Sequence, residues 1–279
     1  CHIRRLLKSL AIDGRSVVTV GDRVWFQEGG AAGAEGVIEK VEPRRGVITR
    51  GYRNRRHIIA SNVDQVLIVS AFEEPGLKLP LIDRYLISAE TGDVRPVIVL
   101  NKADLVDASL YQWIIGLYTL IGYETILTSA VDGRGINRLR ELLSGGGITA
   151  VTGQSGVGKS SLLNAIQPGL NLRVKEVSDW TLKGKHTTTT AELIRLEGGG
   201  YVVDTPGLRQ FELWGVDPAD IEAHFVEFRS YIPLCKFPDC SHTHERDCAV
   251  KDAVHWGQIH VGRYESYLKL YMQEPMDGE

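Results

Sequence analysis

Short β-branched runs broken by glycine and aspartate open the chain: Val17-Val18-Thr19-Val20, Val24-Trp25-Phe26, Gly36-Val37-Ile38 and Gly46-Val47-Ile48-Thr49. Such runs, with turn residues between them, predict a small barrel over residues 1–60. A five-stranded OB-type barrel fits the length, and an SH3-like barrel is its rival. At Val63 the pattern changes. Residues 66–69 are a continuous apolar run of buried-strand type, and Leu81, Ile82, Tyr85, Leu86 and Ala89 follow at helical spacing. Further strands are predicted at 97–100, 125–127, 148–151 and 201–203, with helices at 110–120, 135–143 and 161–165. Gly145-Gly146-Gly147 reads as a hinge or linker. Strands alternating with helices imply a mostly parallel sheet covered on both faces. This α/β unit is assigned residues 61–216. Residues 217–279 read as mostly helical, with a Cys/His cluster inside them. There Tyr264, Tyr267, Leu268 and Tyr271 recur at i, i+3, i+4 and i+7. That stripe is expected to pack inward rather than to stack on RNA.

Composition narrows the class. The 279 residues are 43% hydrophobic and 24% charged, ordinary values for a globular chain. No apolar run reaches the ~18 residues of a membrane helix, and no charged-then-apolar leader is present. A cytoplasmic monomer without a membrane partner is the expectation. The chain starts at Cys1 rather than Met, which leaves the natural start, and with it the first barrel strand, open. The net charge of -3 conceals an asymmetry: residues 1–60 hold 12 Lys and Arg against 6 Asp and Glu, the remainder 20 against 29. A basic N-terminal unit suits a polyanion such as nucleic acid, although Arg44, Arg45, Arg50, Arg53, Arg55 and Arg56 also suit solvated strand ends.

Two motifs carry the chemistry. Gly153-Gln154-Ser155-Gly156-Val157-Gly158-Lys159-Ser160-Ser161 follows a predicted strand and precedes a helix. This is the setting of a phosphate-binding P-loop. Its glycines let backbone N–H groups turn toward a β-phosphate, and the helix N-terminus adds its dipole. Lys159 is placed to neutralise β- and γ-phosphate oxygens and Ser160 to ligate Mg²⁺. Asp204-Thr205-Pro206-Gly207 ends another strand; Asp204 suits the Mg²⁺ shell and the Gly207 N–H a γ-phosphate. Between them lies Lys183-Gly184-Lys185-His186-Thr187-Thr188-Thr189-Thr190, where one threonine hydroxyl, Thr188 by preference, can complete the Mg²⁺ shell.

The second motif, Asn101-Lys102-Ala103-Asp104, also ends a strand. A carboxylate at 104 can accept from guanine N1–H and its 2-amino group, donors that adenine lacks, so ATP leaves it unpaired. Asn101 suits the acceptor edge of the base and the Lys102 stem its ring face. Thr128-Ser129-Ala130, at the next strand end, is expected to supply backbone donors to the guanine carbonyl. The order is unusual: the base element precedes the P-loop. The residue after Asp204-x-x-Gly207 is Leu208, where many GTPases place a water-orienting glutamine. Slow intrinsic hydrolysis follows. His186 is the nearest polar candidate for positioning water, a solvent or partner contact being the other reading. Because no base element follows residues 204–207, the rotated order is expected to wire the nucleotide switch to the C-terminal unit, which would shift on hydrolysis.

Cys235-x4-Cys240-x-His242-x5-Cys248 offers three thiolates and an imidazole, a closed set suited to structural Zn²⁺. His244 is a rival fourth ligand. An odd local cysteine count argues against disulfides.

With these motifs in place, the chain resembles the circularly permuted GTPases of bacterial small-subunit maturation, the ribosome small-subunit-dependent GTPase A family. The resemblance covers the barrel, the base element ahead of the P-loop, the His186 and threonine loop, residues 204–207 and the Cys/His cluster. It implies an OB-fold, a circularly permuted P-loop GTPase α/β domain and a zinc-binding domain. It also implies weak GTPase activity stimulated by the small subunit, rRNA binding late in assembly, and His186 as the catalytic switch residue. A GTP-sensing RNA-binding factor, with hydrolysis incidental, is the alternative.

Overall fold

The computed structural model describes residues 2–3, 17–29, 36–52, 55–170, 172, 192–204, 216 and 218–273. At its centre is a six-stranded sheet: β6 (Gln65–Ala71), β7 (Arg95–Asn101), β8 (Glu124–Leu127), β9 (Ile148–Thr152), β10 (Glu192–Arg195) and β11 (Tyr201–Asp204), in the order β10-β11-β9-β6-β7-β8. Every pairing is parallel except β10 with β11. Alternation along the strands divides the core. Val66, Ile68, Ile98 and Leu100 face one layer, while Leu67, Val69, Val97 and Val99 face the other.

The first layer is built by helices α1 (Leu79–Thr91) and α2 (Gln112–Leu120), the latter preceded by a 3-10 turn at Ala108–Tyr111. The second is built by α3 (Ile136–Leu143) and α4 (Lys159–Ile166), through Leu139, Leu143, Leu162 and Leu163. The glycines at 145–147 form a turn that is exposed at Gly145 and Gly146 and joined to the sheet at Gly147. A Cβ on Gly147 would lie 2.5 Å from the Asp64 carboxylate, which accepts from the Ile148 N–H, and Gly147 O accepts from the Tyr201 N–H.

The N-terminal part is described in two pieces. β1 (His2–Ile3), β2 (Val24–Gln27) and β3 (Val37–Val41) form a three-stranded sheet in the order β1-β3-β2. β4 (Ile48–Tyr52) and β5 (Arg55–Ala60) form a separate hairpin, joined to Val20 by one isolated bridge at Ala60. Among the described residues the two pieces do not close into a barrel. Residues 17–20 are not a strand: the Asp22 carboxylate takes the Thr19 N–H and Asp22 N–H returns to Thr19 O, so the chain turns where a ladder would run. The hairpin packs on the α/β core, since Ile48 and Ala60 are fully buried with Ile82 and Tyr85.

Beyond β11 the chain forms a 3-10 helix at Pro218–His224, a 3-10 turn at Ile232–Leu234, α5 (Ala249–His255) and α6 (Val261–Tyr271). Ile221, Phe225, Phe228, Val250, Ala253 and Tyr267 make a third core, which takes in Ile87 of α1. The tyrosine stripe of α6 packs inward as expected: Tyr267 is buried, edge-on to Phe225 and Phe228. Among the described residues no helix is long and apolar enough to cross a membrane.

Candidate functional site

The C-terminal ends of the parallel strands bring the motif loops to one edge of the sheet. β9 pairs with β6 on the side opposite β7, so the strand order reverses there, and crevices at such reversals are where open α/β sheets take ligands. Asn101 ends β7, Thr128 follows β8, Gly153 follows β9 and Asp204 ends β11. The Asn101 and P-loop strands are two strand spacings apart, about 10 Å, a span suited to the base and phosphates of one nucleotide.

The base-side loop is held by its own side chains. Buried Asn101 donates from Nδ2 to Val157 O at 2.8 Å, reaching across β6 to the P-loop, and accepts at Oδ1 from the Thr128 hydroxyl at 3.1 Å. Ala103, buried, donates its N–H to Thr128 O. The Ser129 hydroxyl donates to Asp104 Oδ1 at 2.6 Å and accepts from the N–H groups of Val131 and Asp132. Asp104 is thereby oriented while exposed to solvent. The Lys102 ammonium donates to Glu74 O. Of the three residues expected to offer backbone donors, two have theirs engaged: Thr128 N–H goes to Leu100 O and Ser129 N–H to Arg134 O. Ser129 turns its hydroxyl, not its N–H, to Asp104.

Around the P-loop, Gly153, Gly156 and Gly158 take φ of 137°, 85° and 93°, the left-handed side where a Cβ is costly. Gln154, Gly156, Lys159, Ser160 and Ser161 are half-buried, Ser155 exposed and Val157 buried. Lys159 Nζ lies over the loop, donating to Gly153 O at 2.7 Å and Gln154 O at 2.6 Å. Gly158 has a second constraint, because a Cβ there would sit 2.4 Å from Asn101 Nδ2. Gly158→Ala must strain the loop or push Asn101 off Val157. Left-handed strain and a lost hydrogen bond together cost about 2–3 kcal/mol. Titration with a fluorescent guanine nucleotide is expected to show affinity lower by on the order of 30–150-fold; unchanged affinity would mean that the Asn101–Val157 tie is dispensable.

His186, Thr188, Gly207 and Leu208 lie outside the described residues, as does the loop 183–190; Asp204 is described only as the end of β11.

A second site lies in the C-terminal part. The donor atoms of Cys235, Cys240, His242 and Cys248 lie within 4.8 Å of one another. Cys235 Sγ is 3.9 Å from Cys248 Sγ, and His242 Nδ1 is 3.6 and 3.4 Å from those two sulfurs. Metal–sulfur bonds of about 2.3 Å in a tetrahedron require sulfurs about 3.8 Å apart, so the set fits such an ion. Burial above all, with Cys248 and Cys235 beside it, pushes the Cys240 thiol up to about 12, and burial raises Cys248 too. A cation is what would hold thiolates here. His244 is excluded as a ligand: its ring is exposed and bonded to the Thr243 hydroxyl. Tyr264 and Tyr267 of α6 donate their hydroxyls to His242 O and Ser241 O, pinning the ligand loop. The Glu222 carboxylate, 2.7 Å from His242 Nε2, had no signal in the sequence.

Fold and loops together define a P-loop α/β protein with the parts of a guanine-nucleotide site in rotated order. A family model described as RsgA GTPase matches residues 41–214. The chain belongs to the RsgA GTPase family. It is 43% identical, over 92% of its length and 86% of the relative's, to a protein of Chlorobaculum parvum named small ribosomal subunit biogenesis GTPase RsgA. It is 44% identical to the Yersinia enterocolitica protein of that name, over 97% and 77% of the two chains. Among solved structures it resembles YjeQ from Thermotoga maritima, with TM-score 0.79 and 36% identity over 99% and 89% of the chains. It also resembles YloQ, described as a circularly permuted GTPase, with TM-score 0.71 and 29% identity over 94% and 82%.

Proposed function

We propose that this protein is a Mg²⁺-dependent GTP hydrolase, converting GTP to GDP and phosphate, that acts in late maturation of the small ribosomal subunit. The observation that carries the proposal is the Asn101–Val157 bond, which ties a base-recognition loop to a P-loop in a chain of the RsgA GTPase family. The relatives' printed name supplies the small subunit as partner.

In this reading Asp104, aimed by Ser129, takes the guanine N1–H and 2-amino donors, Asn101 and Ala130 serve the acceptor edge, and the Lys102 stem covers the ring. The backbone of residues 153–161 surrounds the phosphates, and Lys159 balances their charge. Mg²⁺ would be held by Ser160, Thr188 and Asp204, and there it would supply positive charge to the β- and γ-phosphate oxygens. Gly207 reads the γ-phosphate, and His186 positions the attacking water in place of the glutamine that Leu208 replaces. The Cys/His set would hold one structural Zn²⁺, which closes the C-terminal fold. The N-terminal part, as an OB-type barrel over residues 1–60, and residues 217–279 contact rRNA on either side of the GTPase unit at 61–216. Cytoplasmic placement and a monomeric state complete the reading.

Leu208 also favours a second reading, a GTP-sensing RNA-binding factor whose hydrolysis is incidental. Stimulation of wild-type turnover by small subunits separates them, and His186→Ala tests the catalytic residue. The variant is expected to keep its GTP affinity and lose stimulated turnover by on the order of 10²-fold or more. Full turnover by the variant would remove His186 from the mechanism, and competition by ATP equal to that by GTP would remove the base-side assignment.

A further inference from the structure

We propose that Glu222 is a positioning residue of the metal centre, and that through it the segment Pro218–His224 is fastened to the ion rather than merely packed beside it. The inference rests on the reading of Cys235, Cys240, His242 and Cys248 as metal ligands. His242 is fully buried and presents Nδ1 to the sulfurs of Cys235 and Cys248, which leaves Nε2 to face away from the centre. Glu222 Oε2 is 2.7 Å from that nitrogen. With Nδ1 committed to a cation, Nε2 carries the proton and donates it to the carboxylate. That bond fixes the tautomer, sets the ring plane and raises the basicity of the ligating nitrogen. A ring turned by tens of degrees would no longer point its lone pair at the site the sulfurs define.

The position of Glu222 gives this bond a second consequence. The four ligands all lie within residues 235–248, a local loop, whereas Glu222 belongs to the first helical element described after β11, the strand that ends at Asp204. Within that element Ile221 inserts into the third core beside Phe225, while the hydrogen bond between Glu222 and His242 is a polar link to the ligand loop. Asp220, two residues earlier, is exposed. Metal binding and the ordering of residues 218–224 are therefore linked reciprocally: what holds the carboxylate in place tightens the metal, and the metal holds the segment.

The test uses the whole protein, titrated with Co²⁺ and, in competition with a chromophoric chelator, with Zn²⁺. Glu222→Ala is expected to lower metal affinity 10–100-fold. Glu222→Gln keeps an oxygen that can accept from Nε2 and is expected to fall between the variant and wild type, while Asp220→Ala matches wild type. Amide hydrogen exchange gives the second readout: removing metal from wild type speeds exchange at 218–224, and in Glu222→Ala exchange there is already fast and insensitive to metal. Wild-type affinity in Glu222→Ala overturns the proposal and leaves the metal centre standing. An equal loss in Asp220→Ala also overturns it, as general weakening of the segment. Absence of thiolate-to-cobalt charge-transfer bands in wild type overturns the metal reading itself.

Discussion

Asp104→Asn is expected to move nucleotide preference from GTP to xanthosine triphosphate. The carboxylate offers two acceptors to the two donors on guanine, N1–H and the 2-amino group. An amide offers one acceptor and one donor, and its N–H groups meet the 2-amino group head-on. Hydrogen bonds to a charged partner contribute about 1.5–3 kcal/mol each, so GTP affinity falls by on the order of 10²–10⁴. Xanthine carries a carbonyl at that carbon and so pairs with the amide donor. The Ser129 hydroxyl, 2.6 Å from Oδ1, still has an oxygen to donate to, which keeps the new side chain in place. Displacement of a fluorescent guanine nucleotide by GTP, xanthosine triphosphate and ATP reads the result. Unaltered GTP affinity would mean that Asp104 does not meet the base.

Loss of Arg263 is expected to have the largest effect on stability. Its guanidinium is buried where three elements meet. Nη1 donates to Asp83 Oδ1 of α1 at 2.6 Å and Nε to Glu227 Oε1 at 2.6 Å, while the group lies 4.4 Å from the Phe225 ring centroid. Tyr118 of α2 donates to the same Asp83 oxygen at 2.7 Å. Arg263→Ala leaves two carboxylates in a dry site, which costs about 3–5 kcal/mol. Urea unfolding should show that loss, and Asp83→Ala combined with Arg263→Ala should cost clearly less than the two single losses together. Strict additivity would mean that the pair is not coupled. The pair also bears on the rotated order of motifs. A second contact, His260 at the N-cap of α6 stacked on Trp113 of α2 with centroids 5.3 Å apart, reinforces it. Any nucleotide-driven shift of the C-terminal part that left α1 behind would have to break a buried ion pair.

The central sheet was legible because strands buried on both faces must be apolar without interruption, as residues 66–69 and 97–100 are. The P-loop was legible because only glycine tolerates the backbone of 153, 156 and 158, and the metal cluster because its ligands are local. What sequence concealed is long-range. Arg263 and Asp83 stand 180 residues apart, and Arg263 sits inside a tyrosine stripe where an arginine reads as solvent-facing. Glu222 meets His242 only because the third core folds one segment over the other. Side-chain competition for a backbone group misled once: Asp22 captures the Thr19 N–H and ends a run that reads as a strand. Ser129 offers its hydroxyl, its N–H being engaged by Arg134 O. The glycine tract at 145–147 read as a linker, yet Gly147 is glycine because Asp64 leaves no room for a Cβ.

The most direct test of the functional account is the rate of GTP hydrolysis by the wild-type protein with and without purified small ribosomal subunits, large subunits serving as control. The account predicts slow turnover alone and acceleration of at least ~10-fold by small subunits only, as expected when a partner completes a site lacking its water-orienting side chain. The same rate in all three conditions, or equal stimulation by both subunits, would contradict it.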